Sequence, residues 1–328
     1  MHLLIPFASS LSVASQQALA NLKLPHLDTL LGQMTLASTD SADETTLSPP
    51  HERALIAAYG ISAPGVTPDG QLPWGAWHAA QTGHAVAADE AWAVITPCHW
   101  AVQTGHISMI HPRALGLMED ESRALLAAMQ AYFAGDGITL VYDTATRWLA
   151  RGGVFAGLAT ASPYRVIGAR VDDWIPKGNA AKTLRRLQQE MQMLLYTHPL
   201  TDARTDRGQS AINSFWVSGT GSLSARQLSF AQARSPSPPA VIVPNGLRDA
   251  AIMEDWNAWA AAWTRIDASE CKDLLAASQA GRAVTLTLCG EKSAQTFRTG
   301  ENAVMARVKR QFDGLFGRLP SSTLLKQL

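Results

Sequence analysis

The architecture turns on one segment, His198-Pro199-Leu200-Thr201-Asp202-Ala203-Arg204-Thr205-Asp206-Arg207-Gly208-Gln209-Ser210-Ala211-Ile212-Asn213-Ser214-Phe215-Trp216-Val217-Ser218-Gly219-Thr220-Gly221. Arginine suits phosphate or carboxylate, because its planar guanidinium gives paired, charge-assisted hydrogen bonds. Arg204, Arg207 and Asn213 are therefore candidates for an anion-binding surface. The competing reading is that Arg204 and Asn213 brace a loop by bonding backbone carbonyls. Just upstream, Asn179 to Tyr196 sets Leu184, Leu187, Met191, Leu194 and Leu195 on one face and reads as a helix. Lys177-Gly178 before it is a candidate anion contact at a helix N-terminus.

Further out, strand-like and helix-like runs alternate. Leu3 to Phe7, Ala91 to Thr96, Gly137 to Tyr142, Ala240 to Val243 and Ala283 to Cys289 read as strands. Ser12 to Leu22, His51 to Gly60, Glu119 to Phe133, Asp249 to Ile266, Asp273 to Gln279 and a basic run from Ala303 to Phe316 read as helices. Residues 38–50 and 61–76 read as loops and 234–239 as a linker. Alternation of this kind predicts an α/β fold with a mixed or parallel sheet flanked by helices.

Lys+Arg and Asp+Glu both number 27, so no global basic field draws the chain to nucleic acid or an anionic membrane surface. The three cysteines, Cys98, Cys271 and Cys289, have no CxxC spacing, which argues against a disulfide scaffold and points to a reducing cytoplasm. The N-terminus lacks a signal-peptide pattern, and no apolar run approaches 18 residues, so neither export nor membrane insertion is expected.

The quoted segment resembles the long motif of the archaeal-type cofactor-independent phosphoglycerate mutases, members of the alkaline phosphatase superfamily. His198, Pro199, Arg204, Gly208, Asn213, Trp216, Gly219 and Gly221 match without a gap, and Thr201, Ile212 and Ser218 depart from it. Leu24-Pro25-His26-Leu27-Asp28-Thr29-Leu30 is similar to a superfamily element near the first helix. Ser162-Pro163-Tyr164-Arg165 through Ile175-Pro176-Lys177-Gly178 is similar to a further block in which Tyr164 and Arg165 replace His and Asp. The pattern is also similar to the bacterial E-type regulator-of-pathogenicity-factors group. The resemblance implies an alkaline-phosphatase-like core (1–89 and 222–328) split by an inserted α/β domain (90–221).

It also implies a two-metal centre, and here the sequence departs. The relatives end their first strand in an Asp-Gly-x-Gly-Asp turn, whereas this one ends in Pro6-Phe7-Ala8-Ser9-Ser10. All nine histidines lie at or before His198, so the family's C-terminal histidine ligands have no counterpart. Without O and N ligands to neutralise phosphoryl charge, no metal, no cofactor and no working mutase are expected. A regulatory or binding protein for a phosphorylated or carboxylated metabolite is the leading expectation. The rivals are a protein-interaction module and a metal-free enzyme on phosphate esters.

Two further groups of candidates follow. His51 and Glu52, after Pro49-Pro50, form either a rebuilt acid–base pair or a simple helix start. Arg147 and Arg165 are candidate anion ligands beside Arg204. Trp256, Trp259 and Trp263 share one helix face, which means core packing or an interaction surface.

Overall fold

In this computed structural model, which describes residues 1–62, 66–232, 241–299 and 321–328, the chain divides into two compact units. One comprises Met1–Thr45, Pro49–Pro64 and Ser235–Leu328, the other Thr46–Ser48 and Gly65–Arg234. The strands are β1 (His2–Ile5), β2 (Thr35–Ser41), β3 (Trp92–Cys98), β4 (Trp100–Gln103), β5 (His106–Met109), β6 (Thr139–Thr144), β7 (Arg147–Arg151), β8 (Ser214–Gly221), β9 (Val241–Ile242), β10 (Thr285–Cys289) and β11 (Ser293–Arg298).

Leu3, Leu4 and Ile5 are all fully buried, and a strand apolar on both faces belongs inside a sheet covered on both sides. Accordingly β1 lies inside a five-stranded mixed sheet of order β2-β11-β10-β1-β9. It runs parallel to β10, with Leu3 beside Leu286, and parallel to β9; β11 is antiparallel to both β10 and β2. Leu3 and Ile5 face a core with Leu19, Leu27, Trp259, Trp263 and Leu274, supplied by helices Val13–Asn21, Pro25–Leu31, Trp256–Ile266 and Lys272–Gln279. Leu4 faces the other way, against Ala54 and Leu55 of the helix Pro50–Ala58. The α/β architecture, with a mixed sheet between helices, is the one expected from the sequence.

Two local expectations are corrected here. The loop expected from residue 38 begins as strand, because β2 runs to Ser41 along the sheet's edge. Six of its seven residues are exposed, so its polar composition suits its place and conceals it from any hydrophobic pattern. The helix expected over 249–266 is two, Arg248–Ile252 and Trp256–Ile266. Glu254 breaks it with φ +54°, and Asp255 caps the second piece by accepting from the Ala258 amide at 2.9 Å. The linker 234–239 and the basic helix 303–316 lie outside the described residues.

In the second unit the antiparallel sheet runs β6-β7-β3-β8, with every residue of β3 buried. Helices Glu119–Ala134 and Lys182–Tyr196 contribute Leu125, Met129, Phe133, Leu184, Leu187 and Met191 to its core. β4 and β5 form a separate hairpin. Residues 65–89 and 222–234, assigned to the core from the sequence, group with this unit. The helix Trp74–Gln81 lies against β3 and β8 so closely that a Cβ on Gly75 would sit 2.5 Å from the Ala93 amide nitrogen. Gly219, at φ +61°, approaches the Trp74 Cβ in the same way, at 2.8 Å. Gln81 and Trp77 then hold the helix Ala225–Gln232 through the Ala231 carbonyl and the Phe230 ring. Among the described residues no helix is long and apolar enough to cross a membrane.

Backbone contact at Gly75 leaves the neighbour no room to yield. Gly75→Ala is expected to destabilise the chain by about 3 kcal/mol or more in chemical denaturation. Gly135→Ala, where the nearest atom is 3.4 Å away, should change stability little.

Candidate functional site

The motif segment folds as a cap, a helix, a tight turn and a strand. His198 caps the helix Pro199–Asp206 by accepting from the Leu200 amide at 3.2 Å, and Pro199 takes the first helical position. Arg204 then points inward and is fully buried. Its guanidinium donates to Glu121 Oε2 at 2.5 Å, to the Leu115 carbonyl and, through Nε, to the Ser210 carbonyl at 2.9 Å. The other Glu121 oxygen accepts from Arg207, which is half exposed and also donates to Gln209 at 3.1 Å. Glu121 lies in the first turn of its helix, where the helix dipole favours negative charge. One buried carboxylate thus holds two arginines, and the Arg204 fork is turned away from any surface.

Asn213 is likewise spent on the chain. Its amide accepts from the Trp100 N–H at 2.7 Å and donates to the Trp100 carbonyl at 3.0 Å. Trp216 is buried and donates to the Ala161 carbonyl at 2.9 Å. Arg204 and Asn213 both bond backbone carbonyls of the chain itself.

The remaining cationic candidates stand apart from this cluster. Arg147 pairs with Asp143. Burial and then the Arg147 charge hold the nearby His78 imidazole down at about 4, neutral at pH 7. Arg165 donates to the Thr46 hydroxyl at 3.1 Å, and Lys177 is exposed. Sequence reasoning missed the neighbour of that contact. Asp69 accepts from the Leu47 and Ser48 amides at 2.7 and 2.9 Å and fixes the short strap Thr46–Ser48. An Asp-Gly pair directly after a proline, Pro68-Asp69-Gly70, was its only signal.

His51 and Glu52 belong to the first unit. Helix Pro50–Ala58 buries the His51 ring against Phe7, with centroids 4.7 Å apart. Arg53, one residue on, donates to Asp40 at 2.9 Å. Phe7 itself sits at φ +55°, a conformation few side chains other than Asn or Asp adopt. At this carboxyl end of β1 the Ala8 amide donates to the Cys289 carbonyl at 2.8 Å. The indole N–H groups of Trp259 and Trp263 donate to the Phe7 and Ala8 carbonyls at 2.9 and 3.2 Å. Both indoles are fully buried and pack edge to face at 6.2 Å, so the tryptophan row is core.

The residues at this strand end do not fit the two-metal centre that the resemblance implies. They offer aromatic rings, a serine, one imidazole and a thiol whose pKa burial pushes far up, while Asp40, the carboxylate acting on that thiol, is held by Arg53. Hard divalent ions need clustered carboxylate and imidazole donors. Among the described residues no group of three or more His, Cys, Asp or Glu is placed to hold a metal ion.

Comparison with known proteins gives a partial likeness. No protein-family model matches the chain. It is 27% identical over 146 residues to the 2,3-bisphosphoglycerate-independent phosphoglycerate mutase of Methanosarcina mazei, a match covering 44% of this chain and 36% of that one. With the enzyme of the same name from Methanosarcina acetivorans it shares 26% over 176 residues, 53% of this chain and 42% of the other. The matched region is therefore less than half the length of either relative. Among solved structures, the cofactor-independent phosphoglycerate mutase from Thermoplasma acidophilum aligns with 92% of this chain and 90% of its own, at 13% identity and TM-score 0.38. The sequence likeness to the Methanosarcina enzymes is a weak and partial homology.

Removing the shared carboxylate should expose the asymmetry of the ion pair. Glu121→Gln, which leaves the buried Arg204 charge uncompensated, is expected to cost about 3–5 kcal/mol in urea unfolding. Arg207→Ala, at a half-exposed position, should cost under about 1 kcal/mol.

Proposed function

We propose that this chain is a phosphoglycerate-mutase-like protein that has lost metal-dependent phosphoryl transfer and acts as a binding or regulatory protein, as the E-type regulator-of-pathogenicity-factors likeness suggests. The observation that carries the reading is the carboxyl end of β1, where Phe7, His51, Trp259 and Trp263 occupy the ground on which relatives set an acidic turn. The similarity to mutases supports descent, and the Arg204–Glu121 brace accounts for much of the matched motif without any catalytic role.

The same geometry weighs against the metal-free esterase, since its proposed base, His51, is only 8% exposed and stacked on Phe7. An anionic metabolite remains the ligand class proposed, and the three buried free cysteines suit a reducing cytoplasm.

Turnover is the direct test. Supplied with Mn²⁺ or Zn²⁺, the purified chain is expected to interconvert 3- and 2-phosphoglycerate no faster than a protein-free control. Turnover at about 1 s⁻¹ or above, the lower range of ordinary enzymes, would overturn the reading.

A further inference from the structure

We propose that the loop Phe7–Ser12, together with the first turn of the helix Val13–Asn21, binds a small oxyanion of phosphate or carboxylate type, a site that rests on reading the chain as a binding protein. The loop leaves the carboxyl end of a central parallel strand and enters a helix at its N-terminus, where unsatisfied amides and the helix dipole attract negative charge.

The observation that asks for a ligand is Ser9. It is 3% exposed, and its hydroxyl meets no hydrogen-bond partner among the described residues. A sealed hydroxyl left unpaired costs free energy, and native chains seldom tolerate it without a function.

Most of the loop's carbonyls are already taken, that of Ser12 by the Gln16 backbone amide at 3.1 Å. Trp259 and Trp263 hold those of Phe7 and Ala8, and the Ser15 hydroxyl and Gln16 amide hold that of Ser10, at 2.8 and 2.6 Å. Its donors are not. Among the described residues the amides of Ser9, Ser10, Val13 and Ala14 donate to nothing. Ser12 caps only the Ser15 amide, at 3.1 Å. Carbonyls drawn off and donors left over make a neighbourhood that accepts lone pairs.

Neither the loop nor the helix's first turn carries Asp or Glu, so no carboxylate competes for those donors. Lys and Arg are absent there too, so recognition comes from neutral dipoles. That chemistry fits one compact oxyanion rather than a polyanionic chain.

The test is ¹H–¹⁵N NMR of the full chain titrated with sodium phosphate, and separately with sodium acetate, at ionic strength fixed by chloride. The amides of Ser9, Ser10, Val13 and Ala14 should move saturably with at least one anion, and which one separates phosphate from carboxylate. Ser9→Ala should weaken that response roughly tenfold or more, the worth of one hydrogen bond to a charged group. Asp255→Ala, which removes the cap of the helix Trp256–Ile266 and lies outside the loop, should lower stability and keep the response. No saturable movement with either anion, an undiminished response in Ser9→Ala, or equal loss in both variants would overturn the assignment. Mutase turnover would instead sink the functional reading and leave these shifts unexplained by it.

Discussion

Two indole N–H groups fix the carboxyl end of β1. A parallel strand in the middle of a sheet ends with carbonyls that its neighbours no longer satisfy, and a buried carbonyl must find a donor. Trp259 and Trp263 supply those donors to Phe7 and Ala8 from a helix whose apolar face also builds the core. The two rings fill the volume as well as the hydrogen bonds. His51 and Phe7 close the same strand end by stacking. These four rings occupy the strand end, and among the described residues no group of three or more His, Cys, Asp or Glu is placed to hold a metal ion.

The second unit depends on a different internal constraint, the buried Arg204 held by Glu121. This joins the motif segment to the first turn of the helix Glu119–Ala134, and Asn213 ties the same segment to Trp100. The residues that make the motif recognisable are therefore residues the fold uses to close on itself.

Much of the fold was legible because the strongest signals are apolar and periodic. β1, β3 and β10 are short apolar runs, and the helix Lys182–Tyr196 buries a regular stripe. β2 was hidden by its polarity as an exposed edge, and β7 by the arginines at both ends of its five residues. The site was less legible for a related reason. Charge in a sequence suggests surface, and nothing local told Arg204 to turn inward toward a carboxylate 83 positions away. The tryptophan stripe announced a core but not the two carbonyls it serves, since these lie at the far end of the chain. Ser9 gave no signal beyond a run of small residues; a buried hydroxyl that meets no partner among the described residues sets it apart.

The central claim is that the carboxyl end of β1 is built from rings where metal-dependent relatives are built from ligands. Metal content by mass spectrometry, on protein purified with Mn²⁺ and Zn²⁺ supplied throughout, tests it most directly. No stoichiometric metal is the predicted result. Two ions per chain, retained through gel filtration, would contradict it and require a ligand set rebuilt elsewhere.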